Sequence, residues 1–234
     1  MGKAGVIQEV VSDFDTWSNN NNMSLNPTKC MSMTVCFSQD PVLPPPVCIA
    51  NKQLAEVNVV KILGVQISSD LKWSIHIADV IKRASGRLYM LSTLKKFNLP
   101  ISDLTSVYVG YIRQLLEYAV PVWHGGLTQE QALAIERIQK RACKIILGFA
   151  NYTSYDDALQ SCKLEKLAVR RDQICYDFAN KLLSADSFHH WLPKTRANSH
   201  GRVLRNSHKF TVPRWRTNRY RDSAIPYMVN ILNR

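Results

Sequence analysis

Residues 71–97 have the sequence LKWSIHIADVIKRASGRLYMLSTLKKF. From residue 73 onward, small and apolar side chains recur at the spacing of one face of an α-helix. These side chains are Ile75, Ala78, Ile81, Ala84, Leu88, Leu91 and Leu94. The spacing predicts a long amphipathic helix over residues 73–97, and the helical pattern continues to about residue 184.

Downstream of this helix, the sequence predicts a helical bundle. Four further helices are expected, over about residues 102–120, 128–148, 154–162 and 165–184. Pro121 stops the first of them, because proline lacks the N–H that a helix interior uses. Thr128 and Gln131 form a capping box at the start of the second, which ends at Gly148. The side chains expected on its inner face are Leu133, Ile138, Ala142 and Ile145.

Upstream, the sequence predicts one helix followed by short strands. Apolar residues from Val6 to Trp17 lie on one helical stripe, which ends at the asparagines 19–22. Residues 31–37 alternate as in a half-buried strand, and further short strands lie within residues 47–67. Because no crossover helix fits between those strands, they form an antiparallel set. The predicted fold class is α+β and predominantly helical: a small antiparallel sheet unit, a helical bundle and a basic irregular tail.

Composition excludes several classes of protein. With 234 residues, of which 46% are hydrophobic, the chain is neither collagen-like nor wholly disordered. No uncharged apolar run approaches the roughly 18 residues that span a bilayer, and residues 1–6 lack an apolar signal core. The six cysteines lack the spacing of a zinc site and are expected to be buried thiols. We therefore expect an intracellular protein, nuclear or cytoplasmic, with no membrane partner.

The net charge of +12 is concentrated in the last third of the chain. Residues 163–234 hold fifteen Lys and Arg against five Asp and Glu, and residues 187–221 hold no acidic residue. This segment interleaves cations with aromatic residues, among them Arg214, Trp215, Arg216, Arg219, Tyr220 and Arg221. Cations bind phosphates and aromatic rings stack on bases, so the pattern favours nucleic-acid binding. A solvated tail without a partner is the alternative that the pattern leaves open.

Several motifs resemble those of one protein family. In chain order they are WS at 17–18, NMSLNPTKC at 22–30, KILGVQIS at 61–68, LKWSIHI at 71–77, LEYAVPVW at 116–123 and RWRTNRY at 214–220. They resemble the segment downstream of the catalytic motif in reverse transcriptases of LINE-type (non-LTR) retrotransposons, the jockey-like branch especially. The resemblance covers nearly the whole chain. It implies the C-terminal part of an RNA-directed DNA polymerase, whose partners are an RNA/DNA primer-template and the missing N-terminal palm and fingers.

The resemblance also implies a division of the chain into parts. These are the end of the palm with primer-grip-like strands (1–70), a helical thumb (71–150), a helical extension (151–190) and a basic tail (191–234). Lys82, Arg83 and Arg87 lie away from the apolar stripe of the first thumb helix. A polymerase thumb needs such cations to track a duplex backbone without reading bases.

Four residues of the palm part have roles implied by the resemblance. Lys29 would lie near the triphosphate and assist the leaving pyrophosphate, where a cation suits the developing charge. Leu63, Gly64 and Val65 would brace the primer end. From spacing alone, Lys29 is a solvent-facing lysine before a strand, and Gly64 marks a bulge or a close backbone approach. Both interpretations stay open.

The chain departs from the family at the metal site. These polymerases carry two metal-binding aspartates in an aromatic-x-Asp-Asp hairpin just before this segment, whereas residues 1–5 contain no carboxylate. The adjacent Asp156 and Asp157 follow Ser154, an arrangement typical of a helix N-cap with acids in its first turn. The sequence therefore predicts no metal site and no cofactor in this chain, although the parent family uses Mg²⁺. The chain alone is predicted to be catalytically inactive.

Two functions remain open at this stage. The chain is either a reverse transcriptase fragment that contributes primer and template contacts, or a non-enzymatic nucleic-acid-binding or interaction module derived from such an element. The apolar stripe of the first helix would normally cover palm strands that this chain lacks. We therefore expect an exposed apolar face and self-association.

Overall fold

The computed structural model describes residues 4–38, 44–185, 187–197 and 206–234. The chain divides into two compact units, one up to His76 and one from Ile77 onward. Its secondary structure is α+β and predominantly helical, as predicted. Within the described ranges, no helix is both long enough and apolar enough to cross a bilayer.

The first unit consists of one helix and short paired strands. Its elements are α1 (Ala4–Asn20), β1 (Met31–Ser32), β2 (Cys48–Ile49), β3 (Lys52–Gln53), β4 (Ala55–Glu56), β5 (Val59–Ile62) and β6 (Val65–Ser68). The pairs β2–β3 and β5–β6 are antiparallel, as expected. The strand expected over residues 31–37 is shorter than predicted, because β1 pairs with β4 over only two residues, in parallel.

Helix α1 turns its polar side toward β2. The Gln8 side chain donates to the Cys48 carbonyl and accepts from the Cys48 N–H, both at 2.9 Å. The large apolar side chains of the predicted stripe are exposed: Val6, Ile7, Val10, Phe14 and Trp17. The rings of Phe14 and Trp17 stack on each other with 5.7 Å between centroids. The predicted apolar face is therefore present and solvent-facing.

The helix predicted over residues 73–97 is α2 (Ser74–Lys96). The second half of its apolar stripe is confirmed, since Ala84, Leu88 and Leu91 are buried. The first half was predicted wrongly: Ile77 and Val80 are buried, and Ile75 is exposed. The sequence offers apolar side chains on two adjacent faces of these first turns, so helical spacing alone does not select the inner one.

The second unit continues with a bundle of helices. They are α3 (Ile101–Val107), a π-helical stretch (Tyr108–Arg113), α4 (Gln114–Glu117), α5 (Val120–Trp123), a 3₁₀ turn (His124–Gly126), α6 (Gln129–Leu147), α7 (Tyr155–Ser161) and α8 (Leu167–Ser184). The capping box of α6 is confirmed: Thr128 N–H donates to Gln131 Oε1 at 3.0 Å, and Thr128 Oγ1 accepts from Gln131 N–H at 3.2 Å. Leu133 is exposed, contrary to prediction.

Pro121 has a different role from the one predicted. The helical run ends at Glu117, and Ala119 adopts a left-handed conformation with φ 53°. Pro121 lies in the first turn of α5, where the missing N–H has no intrahelical partner to lose. The proline therefore helps to begin a helix instead of stopping one.

Two carboxylates fix α8 against the rest of the bundle. Glu117 accepts two hydrogen bonds from the Arg170 guanidinium, at 2.5 and 3.1 Å. Glu136 of α6 accepts from the backbone N–H groups of Leu167 and Ala168, at 3.1 and 3.2 Å. Since α8 has no side-chain cap of its own, Glu136 satisfies its first N–H groups and complements the helix dipole from a neighbouring helix.

The end of the chain is folded, whereas an irregular tail was predicted. A 3₁₀ turn (His189–Trp191) is followed by α9 (Asn218–Arg221) and α10 (Ala224–Leu232). Helix α10 packs on α8 around a core of Ala179, Leu182, Leu192, Met228 and Val229. The apolar residues 224–232 cover apolar surface that α8 would otherwise expose, and this burial overrides the charge pattern on which the prediction rested.

Candidate nucleic-acid interface

Lys29 lies in an exposed turn of the first unit. Asn26 Oδ1 accepts from the N–H and the hydroxyl of Thr28, at 3.0 and 2.6 Å, and Lys29 N–H donates to the Asn26 carbonyl at 3.0 Å. Such an Asx-type turn is what the Asn-Pro-Thr sequence favours. It presents the Lys29 side chain to solvent immediately before β1.

Leu63 and Gly64 form the two-residue turn of the β5–β6 hairpin. Their φ angles are 46° and 86°, both positive, as a type I′ turn requires. Glycine adopts this conformation readily but leucine does not, and the Leu63 side chain is 88% exposed. Val65 is buried at the base of the turn. Of the three predicted primer-grip residues, the structure therefore exposes Leu63 at the tip and uses Val65 for packing.

The three predicted cations of α2 differ in their surroundings. Lys82 is exposed and has no salt bridge among the described residues. Arg83 pairs with Asp79 at 2.9 Å, an exposed helical pair of the kind that contributes little stability. The Arg87 guanidinium lies 4.1 Å from the centre of the Tyr111 ring and donates to the Tyr111 carbonyl. Lys82 is thus available to an anion, whereas Arg83 is paired with Asp79 and Arg87 is engaged by Tyr111.

The basic segment that includes α9, residues 211–223, is anchored at both ends by contacts with the folded part of the second unit. On one side, Phe210 N–H donates to Asn233 Oδ1 at 2.8 Å, Asn233 Nδ2 donates to the Phe210 carbonyl at 3.1 Å, and Lys209 Nζ donates to the Asn233 carbonyl at 2.6 Å. On the other side, the segment leads into α10, which packs on α8. Residues 211–223 therefore form a closed loop on a folded base.

This loop displays three of the four predicted arginines. Arg214, Arg216 and Arg219 are exposed, together with Trp215 and Tyr220 between them. Arg221 instead forms a bidentate pair with Asp222 at 2.6 and 2.9 Å, and this hydrogen bonding raises the pKa of Arg221. Two cations expected in the same basic segment, Arg202 and Arg205, lie outside the described residues.

Helix α6 carries a further set of cations that the sequence did not lead us to predict. Helix α6 carries Arg137, Lys140, Arg141 and Lys144, at the i, i+3, i+4 and i+7 spacing of one helix face. Arg137, Lys140 and Arg141 are exposed. The spacing is present in the sequence, but residues 101–162 hold five Lys and Arg against six Asp and Glu, so the net charge of that segment gives no sign of a basic helix face.

The adjacent aspartates act as predicted, in a helix cap. Ser154 Oγ accepts from Asp157 N–H at 3.2 Å, and the hydroxyls of Ser154 and Thr153 donate to the Asp157 carboxylate, which lowers its pKa. Asp156 pairs with Lys166 at 2.8 Å. In the part of the chain that the structure describes, no three His, Cys, Asp or Glu side chains lie together as metal ligands would.

Comparison with known proteins relates the chain to polymerases of mobile elements. It is 27% identical over 146 residues to the "Probable RNA-directed DNA polymerase from transposon X-element" of Drosophila melanogaster. The matched region covers 61% of this chain and 16% of that protein. It is 22% identical over 178 residues to the "RNA-directed DNA polymerase from mobile element jockey" of the same organism, covering 75% and 19% respectively. No protein-family model and no solved structure matches the chain.

The chain spans less than a fifth of the length of these relatives. Both are polymerases of retrotransposons, and the motifs at residues 22–30, 61–77, 116–123 and 214–220 had indicated the same group. By sequence, the chain is homologous to a part of the reverse transcriptases of LINE-type, jockey-like non-LTR retrotransposons.

Proposed function

We propose that the chain is a primer- and template-contacting part of an RNA-directed DNA polymerase, without the catalytic Asp-Asp motif. The observation that carries this proposal is the closed loop at residues 211–223, which holds exposed arginines and aromatic rings on a folded base. Arginines contact phosphates, and aromatic rings stack on bases without regard to sequence. Lys82 on α2 is a further exposed cation available to a nucleic-acid backbone, and Arg83 joins it if a phosphate takes the place of Asp79.

Binding of the whole chain to a labelled RNA/DNA primer-template tests this function. Because the proposed contacts are to phosphates and base faces, affinity should be the same for duplexes of unrelated sequence. Strong preference for one sequence would contradict the proposal. So would the absence of binding at moderate salt, which is the outcome that a solvated tail predicts.

The proposed polymerase part and its alternative, a non-enzymatic nucleic-acid-binding module, share one expectation. The sequence contains no aromatic-x-Asp-Asp motif, and phosphoryl transfer by the two-metal route needs such carboxylates. With primer-template, dNTPs and Mg²⁺, the purified chain should therefore bind without extending the primer. Extension that a chelator abolishes would contradict the assignment of this chain as a non-catalytic part.

The hairpin tip is proposed to brace the primer end, and Lys29 to assist the leaving pyrophosphate. The exposure of Leu63 in a strained left-handed conformation supports the first role, because such conformations cluster at functional sites. Leu63→Asn should weaken binding to a duplex with a recessed 3′ end, but not to a blunt duplex. Leu71→Asn is the matched control, since Leu71 is also an exposed leucine with a positive φ of 52°.

The proposed role of Lys29 is supported by its exposed position in the turn before β1. It acts only when the catalytic carboxylates are supplied by the rest of a polymerase. In the polymerase reconstituted with those carboxylates, Lys29→Met should slow pyrophosphate release and leave primer affinity unchanged. Equal extension rates for both forms would leave Lys29 as a solvent-facing lysine.

A further inference from the structure

The cationic face of α6 is separate from every residue that the sequence analysis nominated. Arg137, Lys140, Arg141 and Lys144 span two helical turns, a length of roughly 10 Å. The opposite side of the helix is buried, through Ile135, Ile138, Ala142, Cys143 and Ile146. These cations therefore stand on one of the most firmly packed elements of the second unit.

The cations of this face are not neutralised by acids of their own helix. Glu136 is turned toward the N-terminus of α8, where it accepts from Leu167 and Ala168 N–H. Glu130 lies in the first turn, before Arg137. Among the described residues, Arg137 and Arg141 form no salt bridge. Two guanidinium groups on adjacent turns are thus available to an external anion.

Tyrosine rings lie beside the two lysines. Lys140 Nζ is 6.0 Å from the centre of the Tyr155 ring, and Lys144 Nζ is 4.9 Å from the centre of the Tyr152 ring. Cation–π contacts of this kind restrain a flexible ammonium group without cancelling its charge. The two lysines therefore add their charges to the helix face that carries Arg137 and Arg141.

We propose that Arg137, Lys140, Arg141 and Lys144 form a second contact surface for a nucleic-acid backbone, additional to the loop at residues 211–223. A duplex presents about one phosphate charge per 1.7 Å of its axis, so a stripe roughly 10 Å long faces several phosphates at once. Guanidinium and ammonium groups bind phosphates, and the contact proposed is therefore to the backbone. The inference rests on the proposed function, since it assumes that the chain binds nucleic acid.

The test compares R137Q/R141Q with K163Q/K181Q, which removes two positive charges from exposed lysines after α7 and on α8. Two lost phosphate contacts should flatten the slope of log affinity against log salt by about 2. If a fourfold rise in salt weakens the wild type about a thousandfold, it should weaken R137Q/R141Q only about a hundredfold. R137K/R141K, which keeps the charges, should behave as wild type. K163Q/K181Q should also keep the wild-type slope.

Each outcome bears on a different claim. If the wild type does not bind a duplex at all, the proposed function fails. If it binds and R137Q/R141Q has the same slope as K163Q/K181Q, only the proposal of the α6 surface is contradicted. It is also overturned if R137Q/R141Q loses affinity for vesicles of phosphatidylserine and phosphatidylcholine but none for duplex. Thermal unfolding of each variant identifies a loss caused by unfolding, in which case the single variant R141Q should still flatten the slope by about 1.

Discussion

Tyr108 Oη donates a hydrogen bond of 2.7 Å to Gln139 Oε1 in the interior of the second unit, and both side chains are fully buried. The Gln139 amide in turn donates to Tyr155 Oη at 3.0 Å and to the Glu165 carbonyl at 2.8 Å. This network joins the π-helical stretch to α6, α7 and the segment before α8. It fixes the inner side of the helix whose outer side carries the proposed cationic face.

Tyr108→Phe tests this network. The change leaves Gln139 Oε1 without its donor in a buried site, and an unsatisfied buried acceptor costs about 1–3 kcal/mol. The midpoint of urea unfolding should fall accordingly. The control is Tyr89→Phe on α2, where the side chain is exposed, and it should change the free energy of unfolding by less than about 0.5 kcal/mol. Equal stabilities of the two variants would show that the hydrogen bond is not needed.

Gly125→Ala tests the attachment of the C-terminal helix. A Cβ atom at Gly125 would lie 2.6 Å from the Asp222 carbonyl oxygen and 2.8 Å from Tyr227 Cβ. The backbone must shift to relieve this overlap, so we expect a destabilisation of about 1–3 kcal/mol and faster proteolysis near α10. Gly86→Ala on α2 is the control, because its Cβ would meet nothing within 4 Å. That change should stabilise the helix by up to about 1 kcal/mol.

His124 should make stability depend on pH. Its Nε2 lies 3.0 Å from Asp172 Oδ1, and its Nδ1 accepts from Arg171 Nε at 3.3 Å. Burial lowers the pKa of His124; the hydrogen bond to Asp172 opposes this shift, and the charge of Arg171 adds to it. The folded state therefore favours the neutral ring.

The sign of the effect follows from proton uptake. Below about pH 6.5, the usual pKa of histidine, the unfolded chain binds a proton that the folded chain does not. Stability should be fully present above that pH and should fall as the pH drops toward the folded pKa. His124→Asn should reduce this pH dependence in chemical unfolding between about pH 7 and 5. Gln160→Asn, at an exposed site without a titratable side chain, should leave the pH dependence as it is in the wild type.

The exposed stripe of α1 should drive self-association. We expect sedimentation to show oligomers at micromolar concentration, together with binding of a hydrophobic dye, because Val10, Phe14 and Trp17 are uncovered. V10E/F14E places two charges on the stripe and should give a monomer. N19E/N20E adds the same charge at the end of the helix and should still associate. A monodisperse wild-type monomer that binds no dye would contradict this expectation.

Local signals predicted much of the fold. The capping box at Thr128, the glycine at position 148 and the cap at Ser154 were all found from sequence, because each depends on a few neighbouring residues. The inner face of the first turns of α2 and the exposure of Leu133 were predicted wrongly. Apolar residues occupy two faces of each helix, and only packing selects the buried one. The folded C-terminal region was not predicted. The basic residues of the segment indicated an irregular tail, although residues 224–232 are mostly apolar.

The candidate site was predicted only in part, because sequence patterns do not show which side chains packing buries or pairs. The resemblance nominated Leu63–Val65 as a group, but Leu63 lies in the hairpin turn and is exposed, whereas Val65 begins β6 and is buried. Arg221 and Arg87 were nominated as free cations, yet Asp222 and Tyr111 engage them. Exposure and pairing depend on tertiary structure, so they cannot be predicted from a count of charges along the chain.

The most direct test of the central claim is the salt dependence of binding to a primer-template duplex. If about six exposed cations meet phosphates, the slope of log affinity against log salt should be near −5, so a fourfold rise in salt should weaken binding about a thousandfold. Replacing Arg214, Arg216, Arg219 and Arg221 by Gln should flatten that slope, whereas D156N/D157N should leave it nearly unchanged. An unchanged slope in the four-arginine variant would remove the loop at residues 211–223 from the interface and contradict the account.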